Sequence, residues 1–236
     1  MRLYDDLAGW YHLLTPPSDY VWEAERYAAL ARAHARDGEV RTLLDLGSGG
    51  GNVSWHLRQW FACTLVDRSP AMLAASQTIN PDCEHIEGDL RSLRLGRTFD
   101  VVLLQDAVMY MTSEDDLRAA VATAFAHLRP GGCALIAPDM TRETFREGET
   151  YGGVDSADGG RGLRFVEWVR DPDPTDTTIT VDFAMLLREG DDVRAVHERH
   201  LHGLFERAVY GRAIADAGFT LIDRLEHAGV LIGVRA

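Results

Sequence analysis

The sequence predicts an α/β fold: a doubly wound parallel sheet with helices on both faces, and an antiparallel β-subdomain inserted before its last helix. Three observations carry this. A glycine-rich turn, Gly47 to Gly51, follows a short apolar run. Strand and helix signals then alternate up to about residue 140, the order that gives parallel strands joined by crossover helices. Residues 163–204 switch to period-two alternation, the mark of antiparallel strands.

The elements follow in order. Val21, Trp22, Tyr27, Leu30, Ala31 and Ala35 recur at mostly helical spacing over 19–36, with Asp19 as N-cap and Asp37-Gly38 as the stop. The apolar run 42–46 reads as a buried strand and 52–61 as the helix after it. A strand is expected at 63–67, then a helix opened by Ser69 as N-cap with Pro70 at its first position. Residues 85–87 and 99–104 are the next two strands. Ser113 with Asp116 resembles a capping box for a helix running to about 127. Residues 128–132 read as a turn before a strand at 133–137. Residues 148–162, rich in Gly and Asp, read as a loop. Three antiparallel strands are expected at 163–170, 177–188 and 193–204, the last two joined by the turn Glu189-Gly190-Asp191-Asp192. A helix over 206–217 and strands at 220–225 and 230–234 end the chain.

Composition narrows the chemistry. All 24 basic residues of the 236 are arginine, and there is no lysine. A Schiff-base enzyme, a P-loop NTPase and a protein kinase each need a lysine, so none can be built here in standard form. A net charge of −13 disfavours a non-specific nucleic-acid binder. The start lacks the apolar stretch of a signal peptide, and no run reaches the ~20 apolar residues of a membrane helix. Cys63, Cys83 and Cys133 contain no CxxC pair, which fits reduced thiols and a cytoplasmic protein.

The segment Asp45-Leu46-Gly47-Ser48-Gly49-Gly50-Gly51-Asn52 carries the chemistry. Glycines there let the backbone approach a ligand. A dinucleotide fingerprint, GxGxxG, needs glycine where Asn52 stands; the spacing present is GxGxG, at Gly47, Gly49 and Gly51. Asp67 ends the second strand, where an acid can accept both ribose hydroxyls. Asp89 ends the third, where an acid can accept from an adenine amino group.

With these residues in view, the sequence resembles the class I S-adenosylmethionine-dependent methyltransferases. The matching segments are LLDLGSGGGN, LVDRSPAML, EGDL, FDVVLLQDAVMYM and LRPGG, in the family's order over about residues 40–140. The resemblance implies a Rossmann-like, seven-stranded sheet whose last strand is antiparallel, and S-adenosyl-L-methionine as cofactor. It implies Gly47, Gly49 and Gly51 beside the methionine part, Asp67 on the ribose, Asp89 and the Leu90 backbone at the adenine, Arg68 and Met72 flanking its ring, and Gln105 facing the cofactor's centre. Asp45 either touches the cofactor or braces the glycine loop.

The flanks resemble a narrower group, the N-methyltransferases acting on nucleotide-linked amino sugars. Leu7-Ala8-Gly9-Trp10-Tyr11-His12-Leu13-Leu14 is similar to their LAxxYDxL opening, with His12 in place of aspartate, and Ser18-Asp19-Tyr20 to their second tyrosine segment. Tyr11 and Tyr20 are then either lid residues over the cofactor or core aromatics. The implied organisation is an N-terminal helical lid (1–38), a cofactor-binding domain (39–147 and 205–236) and an inserted β-subdomain (148–204) shaping the acceptor site.

The expected activity is methyl transfer to a small molecule, with His200 or Tyr110 as base if one is used, by a monomer or homodimer without nucleic-acid or membrane partners. Asp106 can place a carboxylate near the sulfonium or a substrate amine. His200 and His202 share a strand face, but no third ligand is evident and no metal is expected. Oxygen methylation, a cofactor-binding protein without turnover and a nicotinamide oxidoreductase are the alternatives. Phosphates of a nucleotide-linked acceptor would have to meet arginines, and Arg142, Arg146, Arg161 and Arg164 are the first candidates.

Overall fold

A computed structural model describes residues 1–36, 38–222 and 229–236. Two sheets form its frame. The larger has seven strands: β1 (Thr42–Leu46), β2 (Ala62–Asp67), β3 (Glu84–Glu87), β4 (Phe99–Gln105), β5 (Leu128–Ala137), β10 (Phe219–Ile222) and β11 (Leu231–Arg235). Their order across the sheet is β10-β11-β5-β4-β1-β2-β3. β1 to β5 pair in parallel, while β11 runs antiparallel to both β5 and β10. The central strands read as unbroken apolar runs because both faces are covered. Leu43, Val101, Leu103 and Leu135 face α2 (Val21–His34) and α3 (Asn52–Leu57). Leu44, Leu46, Val102, Leu104 and Ile136 face α5 (Glu114–Ala126) and α6 (Arg207–Asp216).

The smaller sheet is antiparallel and four-stranded, in the order β6 (Gly148–Asp155), β7 (Arg161–Arg170), β8 (Thr178–Glu189), β9 (Asp192–Gly203). The first half of the expected loop 148–162 is therefore a strand. Its glycines hid it. A β-carbon on Gly152 would lie 2.8 Å from the Phe165 ring, and one on Gly153 would lie 2.1 Å from the Arg164 side chain. Bare backbone lets the β7 side chains lean across this mostly exposed edge strand. The turn joining β8 to β9 is the two-residue Gly190-Asp191, flanked by the Glu189–Asp192 pair.

Other boundaries differ in detail. Asp19 does not cap α2: a 3₁₀ turn, Pro17–Tyr20, leads in and Tyr20 is the N-cap. Asp37 and residues 223–225 of the expected strand 220–225 lie outside the described residues. Residues 128–132 are a bulged start of β5, opposite Asp100, whose carboxylate accepts from Arg129 Nε at 2.6 Å. α3 is shorter than expected, ending at Leu57. Ser69 caps α4 (Pro70–Ile79) and Ser113 caps α5, each accepting the amide three residues on.

Residues 1–20 pack against both sheets. Leu7 and Trp10 are buried with Leu163, Met185, Leu187 and Val196 of the smaller sheet. The Arg161 guanidinium lies 3.8 Å over the Trp10 ring.

Candidate active site

The carboxyl ends of β1, β2, β3 and β4 meet at a cavity of ≈ 460 Å³, roofed by Tyr4, Tyr11 and Tyr20 from the N-terminal segment. This is where ligands enter open α/β sheets.

The β1 turn forms its floor. Gly47 and Gly49 line it at φ +82° and +53°. Gly51 does not: a β-carbon there would lie 2.2 Å from Ser76 Oγ, so this glycine lets the turn pack on α4. Met72 is likewise off the wall, fully buried behind Gly49. Asn52 is buried at the start of α3 and donates to the Thr15 carbonyl, joining the turn to the N-terminal segment. His12, in place of the aspartate of the resembling motif, donates to the Gly50 carbonyl at 2.9 Å.

Three carboxylates face the floor. Asp67 accepts the Gly49 amide at 2.9 Å on one oxygen and the Ser69 amide at 2.8 Å on the other. Burial pushes its pKa up, and the Ser69 and Gly49 amides pull it back. Asp45 is 4% exposed and accepts from Ser54 Oγ at 2.7 Å. Burial raises its pKa to about 6, against the Ser54 bond. Asp89 is clamped by Arg91, whose guanidinium holds both its oxygens and reaches Asp116 at 3.0 Å. That clamp holds Asp89 below the usual carboxylate range. Leu90 and Arg68 line the same end.

Gln105 and Asp106 end β4. Gln105 is buried and donates to Asp106 Oδ2 at 3.2 Å. Asp106 has φ +46° and ψ −46°, the one non-glycine residue with positive φ among the described residues. Burial, then Asp139, pushes its carboxyl well above the usual range. Tyr110 follows on a 3₁₀ turn and lines the cavity. Its hydroxyl lies 2.8 Å from Tyr4 Oη and 2.8 Å from His200 Nδ1. His200 itself is 1% exposed and sits behind Tyr110, off the cavity wall. Burial lowers its pKa, with Glu198 pulling the other way.

No residue of 148–204 lines this cavity; the inserted sheet reaches it through His200 and Tyr110. Arg142 braces the carbonyls of Asp176 and Leu204, Arg146 those of Glu143 and Phe145, and Arg161 that of Gly9, while Arg164 pairs with Asp155. They form no anion cluster at the cavity. His197 points to the opposite face from His200 and pairs with Asp182 at 2.9 Å. Among the described residues no group of three His, Cys, Asp or Glu side chains is arranged to hold a metal.

Sequence reasoning missed Tyr4, Arg91 and Glu198. Arg91, two residues past Asp89, carried a readable signal. Tyr4 and Glu198 meet the site only through tertiary packing.

The chemistry of the site fits S-adenosylmethionine. Ser48 Oγ and Asn52 Oδ1, on residues that line the cavity, are buried without a protein hydrogen-bond partner, which leaves their bonding capacity for a polar ligand. Asp67 keeps lone pairs for a ribose diol, and the turn glycines leave room for the ligand's backbone-like end.

A methyltransferase domain model matches residues 43–132. The chain is 34% identical over 224 residues to the dTDP-3-amino-3,4,6-trideoxy-alpha-D-glucopyranose N,N-dimethyltransferase of Streptomyces venezuelae, covering 92% of each. It is 31% identical to the dTDP-3-amino-3,6-dideoxy-alpha-D-glucopyranose N,N-dimethyltransferase of Streptomyces fradiae, over 86% of this chain and 78% of that protein. Among solved structures, Streptomyces venezuelae DesVI superposes with a TM-score of 0.85 at 29% identity, over 97% of this chain and 98% of that one. S-adenosylmethionine-bound CalS10, an amino pentose methyltransferase of Micromonospora echinaspora, does so with a TM-score of 0.76 at 29% identity, over 92% of each.

Proposed function

Since the chain belongs to the methyltransferase family that includes the dTDP-amino-sugar N,N-dimethyltransferases, and is an S-adenosylmethionine-dependent methyltransferase, we propose that its acceptor is the amino group of a nucleotide-linked sugar. The observation that carries this reading is the extent of the likeness. It covers the N-terminal segment and the inserted sheet as well as the domain common to many methyltransferases.

In this reading Gly47 and Gly49 carry the methionine part of the cofactor, with Gly51 setting the turn. Asp67 takes the ribose diol, and Asp89 with the Leu90 amide takes the adenine. Arg68 flanks the ring, with Met72 beneath the floor. Gln105 and Asp45 face the centre, and Tyr11 and Tyr20 close over it. The bound cofactor supplies a methyl group already activated by the sulfonium charge. The protein's work is then alignment, which alone accounts for much of such an acceleration. Tyr110 faces the acceptor and His200 stands behind it as the proton store.

Residues 1–38 act as the lid segment, of which α2 also covers one face of the larger sheet, 39–147 and 205–236 as the cofactor-binding domain, and 148–204 as the support of the acceptor side. Packing of Leu7 and Trp10 onto the smaller sheet supports that division. The three cysteines are unpaired, as in a cytoplasmic protein, and no helix among the described residues is long and apolar enough to cross a membrane. The enzyme works as a monomer or homodimer on a small molecule, without nucleic acid.

The test is incubation with S-adenosylmethionine and a dTDP-linked 3-amino sugar, with mass spectrometry of the product. One or two added methyl groups on nitrogen are expected. Methylation of a hydroxyl acceptor with none of the amine would refute the acceptor assignment.

A further inference from the structure

A line of polar groups runs from the cavity wall into the protein, and its far end is a buried carboxylate with no place in the scheme above. Tyr4 Oη and Tyr110 Oη are 2.8 Å apart, and Tyr110 Oη is 2.8 Å from His200 Nδ1. His200 Nε2 lies 2.9 Å from Glu198 Oε1, at an angle short of a well-aligned hydrogen bond. Glu198 Oε2 accepts the Leu3 amide at 2.8 Å. Tyr4 and Tyr110 line the cavity, whereas His200 and Glu198 are buried.

One charge fixes the sense of this whole line. A carboxylate only accepts, so the His200 nitrogen facing it carries the ring proton. Nδ1 is then bare and accepts the Tyr110 hydroxyl. The Tyr110 oxygen, its proton committed inward, accepts the Tyr4 hydroxyl. Every donor in the line points away from the cavity, toward His200. With the opposite tautomer, Nδ1–H would donate outward and the line would deliver protons to the cavity instead of taking them. The buried aromatic surroundings favour the neutral ring: Phe183 and Tyr4 lie 5.2 and 5.5 Å from it, centroid to centroid.

The N-terminal segment is part of the same assembly. The Leu3 amide holds the second oxygen of Glu198, and Ser69 Oγ at the start of α4 donates to the Tyr4 carbonyl. Residues 3 and 4 are thus pinned between the inserted sheet and the cofactor-binding domain.

We propose that Glu198 is the positioning residue of the proton acceptor: it sets the His200 tautomer, and with it the inward direction of the Tyr4–Tyr110–His200 line, and through the Leu3 amide it ties that line to the seating of the N-terminal segment. This rests on the amine-methyltransferase reading. As the N–C bond forms and the S–C bond breaks, the nitrogen becomes cationic. It gives its proton to Tyr4 Oη, Tyr4 passes its own to Tyr110, and Tyr110 passes its own to Nδ1. The product is a neutral amine and an imidazolium facing the Glu198 carboxylate, so charge and protons balance.

The test is ¹⁵N-correlated NMR of the His200 ring in the cofactor-free protein, which reports the tautomer without any turnover. The wild type is expected to show Nε2–H with a bare Nδ1. In Glu198→Gln the amide NH₂ can donate to Nε2, so the proton should move to Nδ1. Turnover with the amine acceptor should fall about 100-fold, the low end of proton-transfer contributions, while KM and affinity for S-adenosylhomocysteine stay within about 2-fold. A wild-type ring protonated on Nδ1, or a tautomer unchanged in Glu198→Gln, overturns the proposal. If Glu198→Gln does not fold, the wild-type spectrum and that of Tyr110→Phe, which should perturb Nδ1 alone, decide it. Failure of the wild type to bind S-adenosylhomocysteine would instead refute the methyltransferase reading and leave the tautomer result standing.

Discussion

The Gly49 amide donates to Asp67 Oδ2 at 2.9 Å, so the glycine turn after β1 and the acid ending β2 form one unit. Asp67→Ala removes the carboxylate proposed to take the ribose and leaves the Gly49 and Ser69 amides without their acceptor. Hydrogen bonds to a charged group contribute about 1.5–3 kcal/mol. Calorimetry should therefore show affinity for S-adenosylhomocysteine falling by roughly 10- to 100-fold. Unchanged affinity would remove Asp67 from the site.

The glycines of the same turn should separate binding from stability. At Gly51 a β-carbon meets Ser76 Oγ at 2.2 Å and Asn80 Nδ2 at 2.4 Å, at φ +74°. Left-handed strain and overpacking add, so Gly51→Ala should cost about 2–4 kcal/mol in urea denaturation. At Gly49 the nearest atom is Tyr11 Oη at 3.4 Å, so Gly49→Ala carries the φ strain alone, about 1–2 kcal/mol. Its larger effect should be on cofactor affinity, because its β-carbon points into the space below Tyr11. Equal losses of stability in the two variants would contradict this division.

The fold and half of this site were legible because they are local. The run 42–46, the GxGxG turn and the Ser69-Pro70 cap each specify backbone shape within a few residues, and the structure places them at β1, its turn and the start of α4. The edge strand β6 was not legible, since Gly152 and Gly153 are there for the neighbouring Phe165 and Arg164 and mimic a loop. Glu198 and Tyr4 were invisible for a different reason. They are 194 positions apart, and only the packing of the first residues onto β9 brings them to the same line.

Arg91 illustrates what an all-arginine chain can do that lysine cannot. Its guanidinium holds both oxygens of Asp89 and also reaches Asp116. A single ammonium cannot span both acids. Arg91→Lys should leave thermal stability nearly unchanged, because the pairs are part-exposed and surface ion pairs contribute little. Affinity for S-adenosylhomocysteine should fall about 3- to 10-fold as Asp89 loses its fixed orientation, roughly one lost hydrogen bond. Full affinity in the lysine variant would show that the clamp is dispensable.

Asp45 should make the cofactor-free protein pH-dependent. Burial raises its pKa from 3.8 to about 6, so the folded protein binds the proton more tightly than the unfolded chain. Its contribution is present in full below pH 3.8 and is lost as pH rises through about 6. Asp45→Asn is neutral throughout, can still accept from Ser54, and escapes that loss. The variant and the wild type should be about equally stable near pH 4, with the variant ahead by up to about 3 kcal/mol at pH 7.5. A constant difference across that range would mean that Asp45 is solvated.

Asp106 carries two costs at once, an unfavourable backbone and a buried carboxyl. Its φ of +46° with ψ of −46° lies outside the populated wells for a side-chain-bearing residue, a strain of order 1–3 kcal/mol. Burial and then Asp139 raise its carboxyl well above the usual range, so its ionised form opposes folding at neutral pH. Backbone strain at the cavity end of β4 points to a position kept for function. Asp106→Asn tolerates positive φ and cannot ionise, and Asp106→Gly relieves the backbone as well. Both should raise the thermal midpoint at pH 7.5, glycine more than asparagine. Turnover with the amine acceptor should fall in both, because each removes the carboxyl that Asp106 presents to the cavity. A variant that is less stable than the wild type would show that Asp106 is held there for packing instead.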